Sequence, residues 1–134
     1  MKVAIIDGQG GKMGMMLIQR IKSAEINCEI TAVGTNSIAT SLMLKAGADS
    51  GATGENAVIV ACRDADIIIG PIGIVVADSL LGEISPAMAV AVGQSKSKKL
   101  LIPVNLCSNI IVGTASLPLS KLIAEAVAEL KNIS

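Results

Sequence analysis

A strand that breaks into glycines and restarts as a helix is the feature that most constrains this chain. Val3 to Ile6 is a short apolar run, mostly β-branched, of the kind that a strand buried on both faces requires. It ends in Asp7-Gly8-Gln9-Gly10-Gly11, and Gly14 follows one helical turn later. Glycines at such a junction let backbone amides come close to a ligand. The helix that follows offers unpaired N–H groups at its positive dipole end. Strand, glycine turn and helix in that order point to a small-molecule ligand that carries a phosphate.

The pattern then repeats along the chain. Strand 1 is expected over 2–7, with a helix over 11–23 that turns Gly14, Leu17, Ile18 and Ile21 inward. A second strand over 28–34 leads into a helix over 38–46, with Asn36 or Ser37 as its cap. The Gly- and Ala-rich stretch 47–54 reads as a loop, and its polar cluster of Asp49, Thr53, Glu55 and Asn56 as a lid over a ligand. A helix is expected over 55–61, and a strand over 65–70 closed by Gly70-Pro71-Ile72-Gly73. Further helices are expected over 75–81 and from Ser85-Pro86 to Gln94. Strands over 99–104 and 110–113 precede a terminal helix over 117–131, whose apolar stripe includes Leu119, Leu122, Ile123, Ala126, Val127 and Leu130. Apolar strands alternating with helices predict an α/β fold: one Rossmann-like domain over 1–134, three-layer α/β/α, with a mostly parallel sheet.

Composition narrows the function classes. Hydrophobic residues make up 51% of the chain and charged residues 16%. That surplus of apolar surface in one small domain predicts a homo-oligomer, a dimer or larger. Eleven basic and eleven acidic residues cancel without forming a block of one sign, which excludes a nucleic-acid partner. The chain has no Phe, Tyr, Trp or His. Base stacking on aromatics, histidine general-base catalysis, Ser-His triads and histidine metal ligation are therefore not available within one chain. Cys28, Cys62 and Cys107 are widely spaced beside apolar runs and read as reduced core thiols. The uncharged span from Leu100 to Ser120 has nominal membrane length, but Pro103, Asn105, Asn109 and Pro118 break it. With no signal-peptide pattern at the start, a cytoplasmic protein without a membrane partner is expected.

Parallel sheets bind ligands beyond the carboxyl ends of their strands. The candidate cofactor-binding residues are accordingly Asp7, Gly8, Gln9, Gly10, Gly11, Lys12, Met13 and Gly14 at the first strand end, and Gly34, Thr35, Asn36 and Ser37 at the second. Gly70, Pro71, Ile72, Gly73 and Asn105 complete the rim. The glycines match the dinucleotide spacing G-x-G-x-x-G only as a longer variant, Gly8-x-Gly10-x-x-x-Gly14. The acidic residue that such folds place at the end of strand 2, to hold a ribose 2′-hydroxyl, is missing there. Gly34-Thr35-Asn36-Ser37 supplies neutral donors instead, which tilts a dinucleotide slightly toward NADP over NAD, so that the expected cofactor is NADP or another nucleotide. Asp7 is assigned to capping the loop amides. Asp78 and Glu83 flank an expected helix after the Gly70 loop, where they could reach the pocket, although solvated helix ends are the commoner role for such residues.

The stretches IDGQGGKMG, AVGTNSIATSLMLKAGADSGATGENAV, ADIIIGPIGIVVADSLLGEISPAMA and LIPVN together resemble a family of short bacterial proteins of unknown function. The resemblance spans the whole chain and implies a Rossmann-like fold. Gly11-Lys12-Met13-Gly14 after a strand is also similar to the cofactor turn of NAD(P) enzymes of the prephenate-dehydrogenase type, whose catalysis relies on a further helical domain. Two functions follow as expectations. One is a small Rossmann-type protein that binds a nucleotide or dinucleotide at the glycine turn, its catalytic activity undetermined. The other is an oligomeric interaction or scaffold protein in which the turn is purely structural.

Overall fold

Five parallel strands in the order β3-β2-β1-β4-β5 carry the molecule. The computed structural model describes residues 1–104, 108–114 and 117–134. In chain order the elements are β1 (Lys2–Asp7), α1 (Lys12–Ser23), β2 (Glu29–Gly34), α2 (Ser37–Lys45), β3 (Ser50–Thr53) and α3 (Glu55–Asp64). There follow β4 (Ile67–Pro71), a 3₁₀ turn (Ile72–Val75), α4 (Pro86–Gln94), β5 (Lys98–Ile102) and α5 (Leu119–Ile133).

The strands are apolar on both faces because each face meets a helix layer. Val3 and Ile5 of β1 pack with Leu17, Ile18 and Ile21 of α1, Met43 of α2 and Ile123 of α5. Ala4 and Ile6, one residue out of phase, pack instead with Val58 of α3 and with Met88 and Val92 of α4. The result is the expected three-layer α/β/α arrangement, and the sheet is parallel throughout. Burying an Ile side chain contributes roughly 1.5–3 kcal/mol. The central pair β1 and β4, with Ile5, Ile6, Ile67, Ile68 and Ile69 all buried, therefore holds the layers together.

Three expectations are corrected. The stretch read as a loop and lid contains β3, which pairs with β2 from Thr31↔Ser50 to Gly34↔Thr53. All four of its residues are exposed at the sheet edge, so it has no apolar signal to read. Asp49 fixes its start by accepting the Ile30 N–H at 2.8 Å. The helix expected over 75–81 is instead the 3₁₀ turn followed by an irregular strap, 76–85. Ser79 Oγ donates to the Gly73 carbonyl at 2.5 Å, and the Asp78 N–H donates to the Ile84 carbonyl at 2.7 Å. Buried Ile74 and Ile84 anchor the two ends of this strap. Finally, 110–113 is a turn rather than a strand, with Ile110 and Val112 exposed.

Cys62 is buried and Cys28 half-buried, in keeping with core thiols, while Cys107 lies outside the described residues. Burial pushes the Cys62 thiol up to about 11 against the opposing charge of Lys99, and it raises Cys28 as well. Among the described residues no helix is long and apolar enough to cross a membrane.

Candidate functional site

The order of strands reverses between β1 and β4, so the crevice at their carboxyl ends is where an open α/β sheet accepts a ligand. The chain leaves β1 at Asp7, which is 6% exposed. Its Oδ1 accepts the Gly8 N–H at 2.8 Å and its Oδ2 the Gly14 N–H at 2.7 Å, which ties the strand end to the first turn of α1. The Gly11 N–H donates to the Gly8 carbonyl at 2.9 Å and closes the turn.

Most of the glycines here are packing glycines. Gly11 has φ 75 and serves as the N-cap of α1, and a Cβ on it would lie 2.7 Å from Ala39 Cα. A Cβ on Gly14 would strike Met43, one on Gly34 would strike Thr40, and one on Gly70 the carbonyl of Ile6. Gly10 is different, since nothing lies within 4 Å of where its Cβ would sit. The N–H groups of Gly10, Lys12 and Met13 have no hydrogen-bond partner among the described residues. These three donors at the start of α1 suit an anion.

The strap reaches this turn from the other side. Glu83 Oε1 accepts from the Gln9 N–H at 2.8 Å, from Thr35 Oγ1 at 2.5 Å and from Asn36 Nδ2 at 2.8 Å. Asn36 is itself fixed, because its Oδ1 caps α2 by accepting the Ala39 N–H at 2.9 Å and its Nδ2 also donates to the Gln9 carbonyl at 2.9 Å. Leu80 and Glu83 lie over Gly8, where a Cβ would come 2.9 Å from Leu80 Cδ1 and 2.6 Å from Thr35 Oγ1. The carboxylate thus stands at the end of β2, clasped by neutral donors alone. The ion pairs among the described residues, Lys2–Asp64 and Lys22–Asp49, lie elsewhere.

Burial raises the carboxyl of Glu83, but the hydrogen bonds from Thr35, Gln9 and Asn36 outweigh it and hold the group below its usual value. Burial pushes Asp7 the other way, upward. The amides of Gly14 and Gly8 oppose that shift, and the nearby charge of Glu83 adds to it. The two carboxyls are thus shifted in opposite directions, Glu83 down and Asp7 up.

The expected rim residues separate into groups. Gly8, Gln9, Thr35 and Asn36 converge on Glu83, whereas Gly10, Lys12 and Met13 form the open amide edge. Gly11, Gly14, Gly34 and Gly70 pack, and Asp7 caps as expected. Ser37 opens α2 exposed, Ile72 is half-buried, and Pro71 and Gly73 are buried where β4 ends. Asn105 lies outside the described residues. The premise that no acid stands at the end of β2 is corrected, because Glu83 brings one there from 48 positions beyond Thr35. Its position after the Gly70 loop put Glu83 within reach of the pocket, but no local pattern marks its partners. The one available signal is the pair of neutral donors Thr35-Asn36 at a strand end that lacks its own acid. Among the described residues no group of three or more His, Cys, Asp or Glu is placed to hold a metal ion.

A family model described as "Domain of unknown function (DUF3842)" matches residues 2–134. The chain belongs to this DUF3842 family. The match covers nearly the whole chain, as the resemblance to a family of unknown function implied. No curated protein matches it. Among solved structures, the crystal structure of a dodecameric FMN-dependent UbiX-like decarboxylase from Escherichia coli O157:H7 is similar at a TM-score of 0.46 and 21% identity, over 99% of this chain and 76% of that one.

Proposed function

We propose that this DUF3842 protein binds a nucleotide or dinucleotide, with a phosphate at the start of α1 and the nucleoside along the ends of β1 and β2. The observation that carries the reading is the set of N–H groups on Gly10, Lys12 and Met13, unpartnered among the described residues, at the crevice where the strand order reverses. Lys12 is exposed beside them and adds a positive charge. The site is one of binding and orientation. Calorimetric titration with NADH, NADPH, ATP and AMP tests it, together with native mass spectrometry for a co-purified nucleotide. The chain's lack of aromatic residues leaves nicotinamide fluorescence unobscured. Gly10→Val is the decisive variant, because the open space at Gly10 accepts the side chain while the backbone loses its close approach. At least one nucleotide is expected to bind below millimolar, and Gly10→Val to weaken it about tenfold or more with the melting temperature unchanged. Wild-type protein that binds none of them overturns the reading.

A scaffold role with a purely structural turn is the second reading. One observation favours it: packing against Ala39 and Met43 already accounts for Gly11 and Gly14. The same titration separates the two. Under either reading we infer a homo-oligomer. Val90 on α4 is 53% exposed and lines a shallow groove of about 440 Å³ with Ile59, Ala87 and Ala91, and Val60 on the neighbouring α3 is 46% exposed and lines a separate cavity with Ala57 and Ala61.

A further inference from the structure

Glu83 offers the ligand one oxygen and keeps the other engaged. Three donors meet on Oε1, while Oε2 has no hydrogen-bond partner among the described residues. The donors are themselves held in place. The Gln9 amide belongs to the glycine turn, and the Asn36 side chain is pinned by its cap on α2. Each is neutral, so the carboxylate keeps its full charge, and a second carboxylate, Asp7, lies close enough to act on it electrostatically. The donors that suit a phosphate, on Gly10, Lys12 and Met13, belong to the other side of the turn.

We infer that Glu83 is the specificity-determining residue of the site: its free carboxylate oxygen accepts hydrogen bonds from an unphosphorylated ribose diol and excludes a ribose that carries a 2′-phosphate. The inference rests on the nucleotide reading above. Its physical basis is the difference between two neighbours of a fixed carboxylate. A vicinal diol donates to Oε2 and completes its hydrogen bonding. A phosphate dianion brings like charge against it, with no Lys or Arg among the described residues paired to Glu83 to offset the repulsion. The tilt toward NADP, which rested on a missing acid, gives way to the NAD and ADP class of ligand. Glu83 enters from the strap after β4 rather than from β2.

The test compares NADH with NADPH, and AMP with adenosine 2′,5′-bisphosphate, by calorimetry on the full chain. Wild-type protein is expected to bind the member of each pair that lacks the 2′-phosphate about tenfold or more tightly. Glu83→Gln keeps an oxygen for the three donors and removes the charge, so the preference should fall to about twofold or less. Thermal melting of Glu83→Gln and Glu83→Ala checks that the strap remains folded, and the Ala variant should lose the preference too. If wild type binds both members of each pair equally, or the 2′-phosphorylated one better, the inference is overturned while the nucleotide reading stands. It is overturned equally if Glu83→Gln tightens every ligand by the same factor, for then Glu83 is a plug and not a selector. If no nucleotide binds wild type or variant, the underlying reading fails and takes the inference with it.

Discussion

Asp7 and Glu83 show how two carboxylates a short distance from one turn take different parts. Asp7 is buried and satisfies the Gly8 and Gly14 amides, so it belongs to the framework. In Asp7→Ala those two buried N–H groups lose their acceptor, at roughly 1–3 kcal/mol each. Desolvation of the carboxylate, visible in its raised pKa, offsets part of that loss. A net destabilisation of about 2 kcal/mol is expected, read as a lowered denaturation midpoint at unchanged slope. Asp7→Asn recovers one of the two bonds and should fall between wild type and Ala. Asp7's role was legible because an acid directly after a strand and before glycines has nearby amides to accept. Glu83 was legible only as an acid within reach of the pocket, and its partners were not, because its three donors come from positions 9, 35 and 36 and nothing in the residues around it marks a partner so far along the chain.

The elements divide along the same line. β1, α1, β2, α2 and α4 stand within a residue or two of where periodicity and capping place them, since each has an apolar run or a Ser, Asn or Pro start signal. Asn36 and Ser85 do cap their helices, accepting from Ala39 and Met88. β3 escaped because an exposed edge strand spelled Ser-Gly-Ala-Thr buries nothing. The strap escaped for a different reason: Leu80 and Leu81 take left-handed backbone conformations with φ of 55 and 56, beside Asp78 at 64, and leucine has no local preference for that region. The surrounding contacts impose them. Leu81 offers a clean test, because its side chain is 92% exposed and has little packing to lose. The left-handed region costs a side-chain-bearing residue about 1–2 kcal/mol, and glycine's extra unfolded-state entropy costs about 0.5–1. Leu81→Gly is therefore expected to be neutral to stabilising, by up to about 1 kcal/mol in chemical denaturation. A loss of more than about 1 kcal/mol would show that Leu81 packs in solution.

At the scale of the molecule, the parallel sheet and its two helix layers were legible because β1 and β4 are apolar on both faces, as strands covered on both sides must be. The helices α3 and α4 cover the same side of the sheet and leave Val60 and Val90 exposed. Val60→Glu with Val90→Glu places one charge on each helix without entering either core. Light scattering is expected to show wild type as a dimer or larger and the double variant as a smaller species of unchanged melting temperature. An unchanged mass would move the contact surface away from α3 and α4. The central place of β1 has a consequence in time as well as in space. Val3 pairs with Ile30 on one side and with Ile67 on the other, so the sheet around the turn needs contacts across half the chain. The Glu83 clasp needs the strap beyond them as well. Positions 9, 35, 36 and 83 can meet only after β1 and β2 lie side by side and the chain has crossed back past β4, so the clasp is a late event relative to those pairings and reports that they are in place.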